Sequence, residues 1–124
     1  MTDARKKLGA WGESVAATHL EAGGYTIIAR NWRSKIGELD IVAQKDDAVA
    51  FVEVKTRRGR SHGSPEDGVT PTKARKLIAT VQSYLSENDC DEDLDFSIDI
   101  VAVELDKGGR VLRIEHLENA VTAW

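Results

Sequence analysis

Two apolar runs, Glu38 to Gln44 and Val49 to Lys55, are joined by Lys45-Asp46-Asp47-Ala48 and constrain the fold of this chain most. Each is short, rich in β-branched residues and bounded by turn formers, so each reads as a strand and the pair as a hairpin. Both carry charge where a core strand should be apolar, because Asp40, Glu53 and Lys55 sit among Leu39, Ile41, Val42, Phe51, Val52 and Val54. With a turn of two or four residues, Asp40 lies directly across from Glu53 and Glu38 across from Lys55. A turn of three would separate the acids. Directly opposed residues share a face with Cβ atoms about 4.5 to 5.5 Å apart, and two carboxylates at that spacing repel unless a cation compensates. Lys55, two residues past Glu53 on the same face, supplies one positive charge. A divalent ion would supply the rest, and Asp40, Glu53 and the carbonyl of Val54 are hard oxygen donors that suit Mg2+ or Mn2+. Zinc is disfavoured because His19, His62 and His116 show no ligand spacing. The competing reading is an amphipathic hairpin whose second face is wet, with Glu38 and Lys55 as a surface pair.

The elements around the hairpin follow from periodicity and stop signals. Residues from Ala4 to Ala22 read as a helix with Leu8, Trp11, Val15 and His19 along one stripe and a Gly23-Gly24 stop. Tyr25 to Trp32 is a strand. Arg58 to Gly68 holds three glycines and a proline and reads as a mobile loop. Thr70-Pro71 then supplies an N-cap and a first helical residue for a helix to Ser86 that buries Leu77, Ile78, Val81, Tyr84 and Leu85. Phe96 to Leu105 and Arg110 to Leu117 are the last strands. The expected fold is an α/β domain in the order αβββαββ, a mixed central sheet flanked by two helices. Trp11 and Trp32 are expected as core aromatics rather than base-stacking platforms, and Asp99, between Ile98 and Ile100, as a structural hydrogen-bond acceptor.

A chain of 124 residues fits a single domain, residues 1–124. No run reaches the roughly 18 to 20 apolar residues of a membrane span, and the first residues lack the apolar stretch of a signal peptide, so no membrane partner and a cytoplasmic location are expected. Cys90 is the single cysteine, which excludes an internal disulfide and a cysteine zinc cluster. The net charge of −4 argues against a nucleic-acid partner until its distribution is considered. Residues 87–95 hold six acids and no base, leaving +2 on the rest of the chain. The bases gather as Lys55, Arg57, Arg58 and Arg60, and again as Lys73, Arg75 and Lys76. Either run could be an ordinary solvated face.

Asp40, followed thirteen residues on by Glu53-Val54-Lys55, resembles the PD-(D/E)XK nuclease motif. The chain as a whole resembles the YraN-like family of small bacterial proteins, similar in fold to the Holliday junction resolvases of the restriction-endonuclease superfamily. The matching stretches are Gly9 to Glu13, Arg30-Asn31-Trp32-Arg33, Gly37 to Asp40, Phe51 to Arg57, Gly63 with Pro65, Lys73, Asp99 and Asn119-Ala120. The resemblance implies a restriction endonuclease-like fold and a metal-dependent DNA endonuclease acting on branched or junction DNA. Asp40 and Glu53 would hold Mg2+ or Mn2+, Lys55 would orient the attacking water or stabilise charge on phosphorus, and Glu13 would be the helix-borne acid that such sites often add. Within its helix Glu13 shares a face with Gly9, Ala16, Ala17 and Leu20, small residues that permit close approach to a sheet, although the sequence alone favours an exposed helix glutamate. Arg57 and Arg58 continue the metal strand toward phosphate, Arg33 and Lys35 extend the basic rim before the hairpin, and Lys73 opens the second helix, where a bound phosphate would offset its unfavourable placement in the helix dipole. Resolvase-like nucleases commonly act as homodimers. One departure is Ser97-Ile98 before Asp99, where the family pattern has an arginine and an aromatic residue. Two alternatives stay open, a nucleic-acid-binding module that keeps the fold without cleaving and a protein-interaction adaptor.

Overall fold

The computed structural model describes residues 2–59, 63 and 65–122. Its elements are α1 (Thr2–Ala22), β1 (Thr26–Arg33), β2 (Glu38–Lys45), β3 (Ala48–Arg58), a 3-10 turn (Pro65–Gly68), α2 (Pro71–Glu87), β4 (Asp95–Leu105) and β5 (Val111–Leu117). This is the expected order. The five strands form one sheet in chain order, antiparallel except for β3 against β4, which are parallel. A parallel pair needs a long crossover, and the segment containing α2 supplies it. Part of the loop expected over Arg58 to Gly68 is the 3-10 turn; Arg60 and His62 lie outside the described residues.

The two helices cover opposite faces of the sheet. On one, Ala16, Ala17 and Leu20 of α1 meet Ile41, Ala43, Ala50, Val52, Val101 and Val103. On the other, Leu77 and Val81 of α2 meet Val42, Val49, Phe51, Ile98 and Ile100. Alternate β3 residues therefore serve alternate cores, and a strand buried on both faces reads as nearly continuous apolar sequence. Thr70 caps α2 as expected, its hydroxyl accepting from the Lys73 N–H at 3.3 Å. Asp99 is the expected structural acceptor: it is buried, bonded to His116 Nε2 at 2.7 Å and to the Asn119 N–H at 2.9 Å. No helix among the described residues is long and apolar enough to cross a membrane.

The stripe expected on α1 is corrected. Trp11 is 40% exposed and His19 is exposed, while Gly12, Ala16, Ala17 and Leu20 are buried. The cause is close approach: a Cβ on Gly12 would overlap the Thr56 hydroxyl of β3, so only a stripe of small residues can lie on this sheet face. That seating turns Trp11 out of the core and brings Glu13 in. Trp32 does pack in the α2-side core, edge-on to Tyr84 at 5.1 Å.

Candidate active site

The β2–β3 hairpin turns through two residues, with Lys45 paired to Ala48 and the ladder running to Ile41 and Val52. That even turn sets Asp40 opposite Glu53. Beyond Ile41 the described ladder gives way, and Asp40 Oδ2 accepts the Val54 N–H at 2.8 Å. A side-chain oxygen thus occupies the role of a backbone carbonyl. The strand bends there: Leu39 enters the α2-side core and Ile41 the α1-side core, although residues two apart in a regular strand share a face.

Burial and the adjacent Glu53, through a hydrogen bond and its charge, push the Asp40 carboxyl up to about 8, against the Val54 N–H and the Lys55 charge. Without a cation, Asp40 therefore holds a proton at neutral pH, in a hydrogen bond with Glu53. Glu13 faces the same acids. Its carboxyl is raised by burial and by the charges of Asp40 and Glu38, and lowered by Arg30 and by Asn31. Asn31 adopts left-handed backbone, φ 53°, and with its amide nitrogen turned toward the acids it donates to Glu13 Oε1 at 3.0 Å and Glu38 Oε1 at 3.1 Å. Arg33 Nε holds the other oxygen of Glu38 at 2.9 Å. The surface pair of Glu38 with Lys55 is therefore replaced by Glu38 with Arg33 and Asn31, because the strands splay at Asp40.

Lys55 lines a cleft of about 580 Å³ with Arg5, Glu13, Val54, Arg57 and Arg58. On the α2 side, Asp40 and Glu53 themselves line a second cavity of about 260 Å³, together with Glu38, Lys73 and Lys76. Lys73 Nζ also donates to the Gly68 carbonyl at 3.2 Å, and the Arg57 guanidinium lies against Gly68, 3.0 Å from where a Cβ would stand. Glu13, Asp40, Glu53, Val54 and Lys55 thus come together, with Arg57 and Arg58 along the cleft and Lys73 on the far side. Arg33 and Lys35 stay outside these cavities, exposed where β1 turns into β2. Neither Asn31 nor Lys76 was given a site role from the sequence. Lys76 follows Lys73 by three residues and so shares its helix face, a signal the sequence does carry; the role of Asn31 depends on a backbone reversal that leaves only the weak mark of an asparagine in a strand.

The donor chemistry fits a hard divalent ion: two adjacent carboxyl groups, that of Asp40 protonated when no cation is present, and oxygen ligands only. Among the described residues no group of three or more His, Cys, Asp or Glu side chains forms a metal-ligand set. An ion held by two acids and a backbone carbonyl would complete its shell with water, as Mg2+ habitually does, whereas zinc would find no nitrogen or sulfur.

Residues 12–103 match the family described as Uncharacterised protein family UPF0102. A UPF0102 protein of Flavobacterium johnsoniae is 46% identical over 116 residues, 92% of this chain and 93% of its own. One from Syntrophotalea carbinolica is 43% identical over 126 residues, covering all of both chains. One from Roseiflexus castenholzii is 40% identical over 121 residues, 98% of each.

Proposed function

The chain belongs to the uncharacterised protein family UPF0102, and from its acid cluster we propose that it is a metal-dependent endonuclease hydrolysing phosphodiester bonds in DNA. The observation that carries this reading is the bent hairpin strand that sets half-buried Asp40 against Glu53 beside Lys55, two acids in want of a cation in a cavity they share with Lys73 and Lys76. The resemblance to PD-(D/E)XK nucleases supports it independently through the same three residues. Asp40, Glu53 and the Val54 carbonyl would hold Mg2+ or Mn2+. Such an ion, when bound, neutralises phosphate charge and lowers the pKa of a coordinated water.

The residues of the chain do the rest. Lys55 presents its ammonium to the developing charge on phosphorus or holds the attacking water in line. Glu13, with a carboxyl raised by burial and by its acidic neighbours, is the more basic for it and suited to accept a proton. Asn31 fixes Glu13 by donating to it. Arg57 and Arg58 track the phosphate backbone along the cleft, and Lys73 and Lys76 hold the acids' far side positive. Branched or junction DNA and a homodimer are the finer expectations, resting on the fold resemblance.

The deciding experiment is cleavage of a labelled panel of four-way junctions, flaps, duplexes and single strands with Mg2+ or Mn2+. Glu53→Ala should abolish cutting and Lys55→Ala should slow it about 10²- to 10³-fold, in the range of losing one preorganised electrostatic contact. Absence of cutting on every member would sink the nuclease reading and leave a binding module of the same fold.

A further inference from the structure

Trp11 has no place in the mechanism above, yet it is the large aromatic that the close seating of α1 turns outward, 40% exposed. It lines a shallow cavity with Ala4, Lys7, Leu8, Arg58, Leu105 and Gly109. Leu8 and Arg58 also line the cleft that holds Glu13 and Lys55, so the two hollows adjoin. Among the described residues, the charged ones lining them are Arg5, Lys7, Lys55, Arg57 and Arg58 against the single acid Glu13, on a chain whose net charge is −4. An exposed indole beside Leu8 and Leu105, flanked by Lys7 and Arg58 and adjoining a basic cleft, has the chemistry of a stacking platform. Every base has a π face, whereas a paired base inside a duplex has both faces already stacked, so such a platform selects unpaired nucleotides.

We infer that Trp11 stacks an unpaired base of DNA and that Lys7 and Arg58 guide the strand past Leu8 into the cleft beside Lys55. The inference rests on the nuclease reading for its direction of travel and deepens it: the substrate carries a single-stranded arm next to the bond that is cut. Trp11 is then a positioning residue that selects substrate by structure, and it acts in binding before any chemistry.

The test is fluorescence anisotropy in EDTA with a single-stranded DNA oligonucleotide, a blunt duplex and a duplex with a single-stranded arm, on wild type, Trp11→Ala, Trp11→Phe and Glu53→Ala. Stacking predicts that Trp11→Ala weakens binding of the single strand and the armed duplex about ten- to a hundredfold, that Trp11→Phe recovers most of this, and that blunt-duplex binding moves less than twofold. Equal loss on all three DNAs would assign Trp11 to general helix placement, and unchanged single-strand binding, or no binding by wild type, would also overturn the inference. Because no metal is present, failure here is separable from failure of the nuclease reading. Metal-dependent cutting that Trp11→Ala leaves untouched would keep the enzyme and discard the platform; Trp11-dependent binding without any cutting would do the reverse.

Discussion

At the scale of single residues, the acid pair predicts how the metal-free protein responds to pH. Asp40 is raised from its ordinary value to about 8, so the folded chain retains a proton that the unfolded chain has released above about pH 4. This group therefore makes the metal-free fold progressively less stable as pH rises from about 4 to about 8. Asp40→Asn keeps an oxygen for the Val54 N–H and gives Glu53 an N–H donor in place of the Asp40 proton. At pH 8 without metal the variant should be more stable than wild type by on the order of 1 to 3 kcal/mol, and at pH 5 the two should nearly agree. Urea unfolding at the two pH values measures this directly. Added Mn2+ should raise the wild-type midpoint at pH 8 and leave that of Asp40→Asn almost unmoved, since an ion stabilises only a fold that binds it.

At the scale of elements, the seating of α1 on β3 and the tie between β4 and β5 each hang on few atoms. Gly12→Ala forces its methyl into the Thr56 hydroxyl, and the overpacking should cost about 1 to 3 kcal/mol and lift Glu13 away from the acids. Combining it with Thr56→Ala should recover part of that loss, a coupling that a double-mutant cycle of unfolding free energies detects. Asp99 joins β4 to β5 through His116 and Asn119; burial raises its carboxyl, but hydrogen bonds from His116, the Asn119 N–H and Ser97 outweigh burial and hold it below the usual range. Its contribution is fully present above about pH 3.9 and lost as pH falls through the lower folded value, so Asp99→Asn should remove a component of acid unfolding in that window while destabilising the fold at pH 7. Much of this architecture was legible in the sequence. The opposition of Asp40 and Glu53 followed from a period of two and an even turn, whereas the small neighbours of Glu13 allowed its half-buried position without deciding for it. The outward turn of Trp11, the splayed ladder at Asp40 and the bridge made by Asn31 were not, because each depends on which surface the helix meets and how closely, and a chain's own periodicity is silent on its partner's shape.

At the scale of the whole molecule, charge is arranged end to end. The acidic stretch before β4 leads into Asp95, which pairs with Ala48 at the start of β3, whereas Lys55, Arg57 and Arg58 lie at the other end of that strand. An eleven-residue strand is about 35 Å long, several Debye lengths at physiological salt. DNA affinity should therefore fall with salt according to the phosphates met by the basic end, and replacing Asp89, Asp91, Glu92 and Asp93 by their amides should quicken association at low salt but change affinity less than about twofold at 0.15 M. Titrating binding against salt for both proteins checks this. The parallel pairing of β3 with β4 carries a different consequence, for the order in which the chain folds. Asp40 and Glu53 belong to one hairpin and can meet early, on the microsecond scale of hairpin closure, but β3 gains its second neighbour only after the α2 crossover has brought β4 back. Contacts so remote in sequence form late, so the acids should find each other well before the strand that carries Lys55 is held rigid, and the last step of folding is also the step that finishes the site.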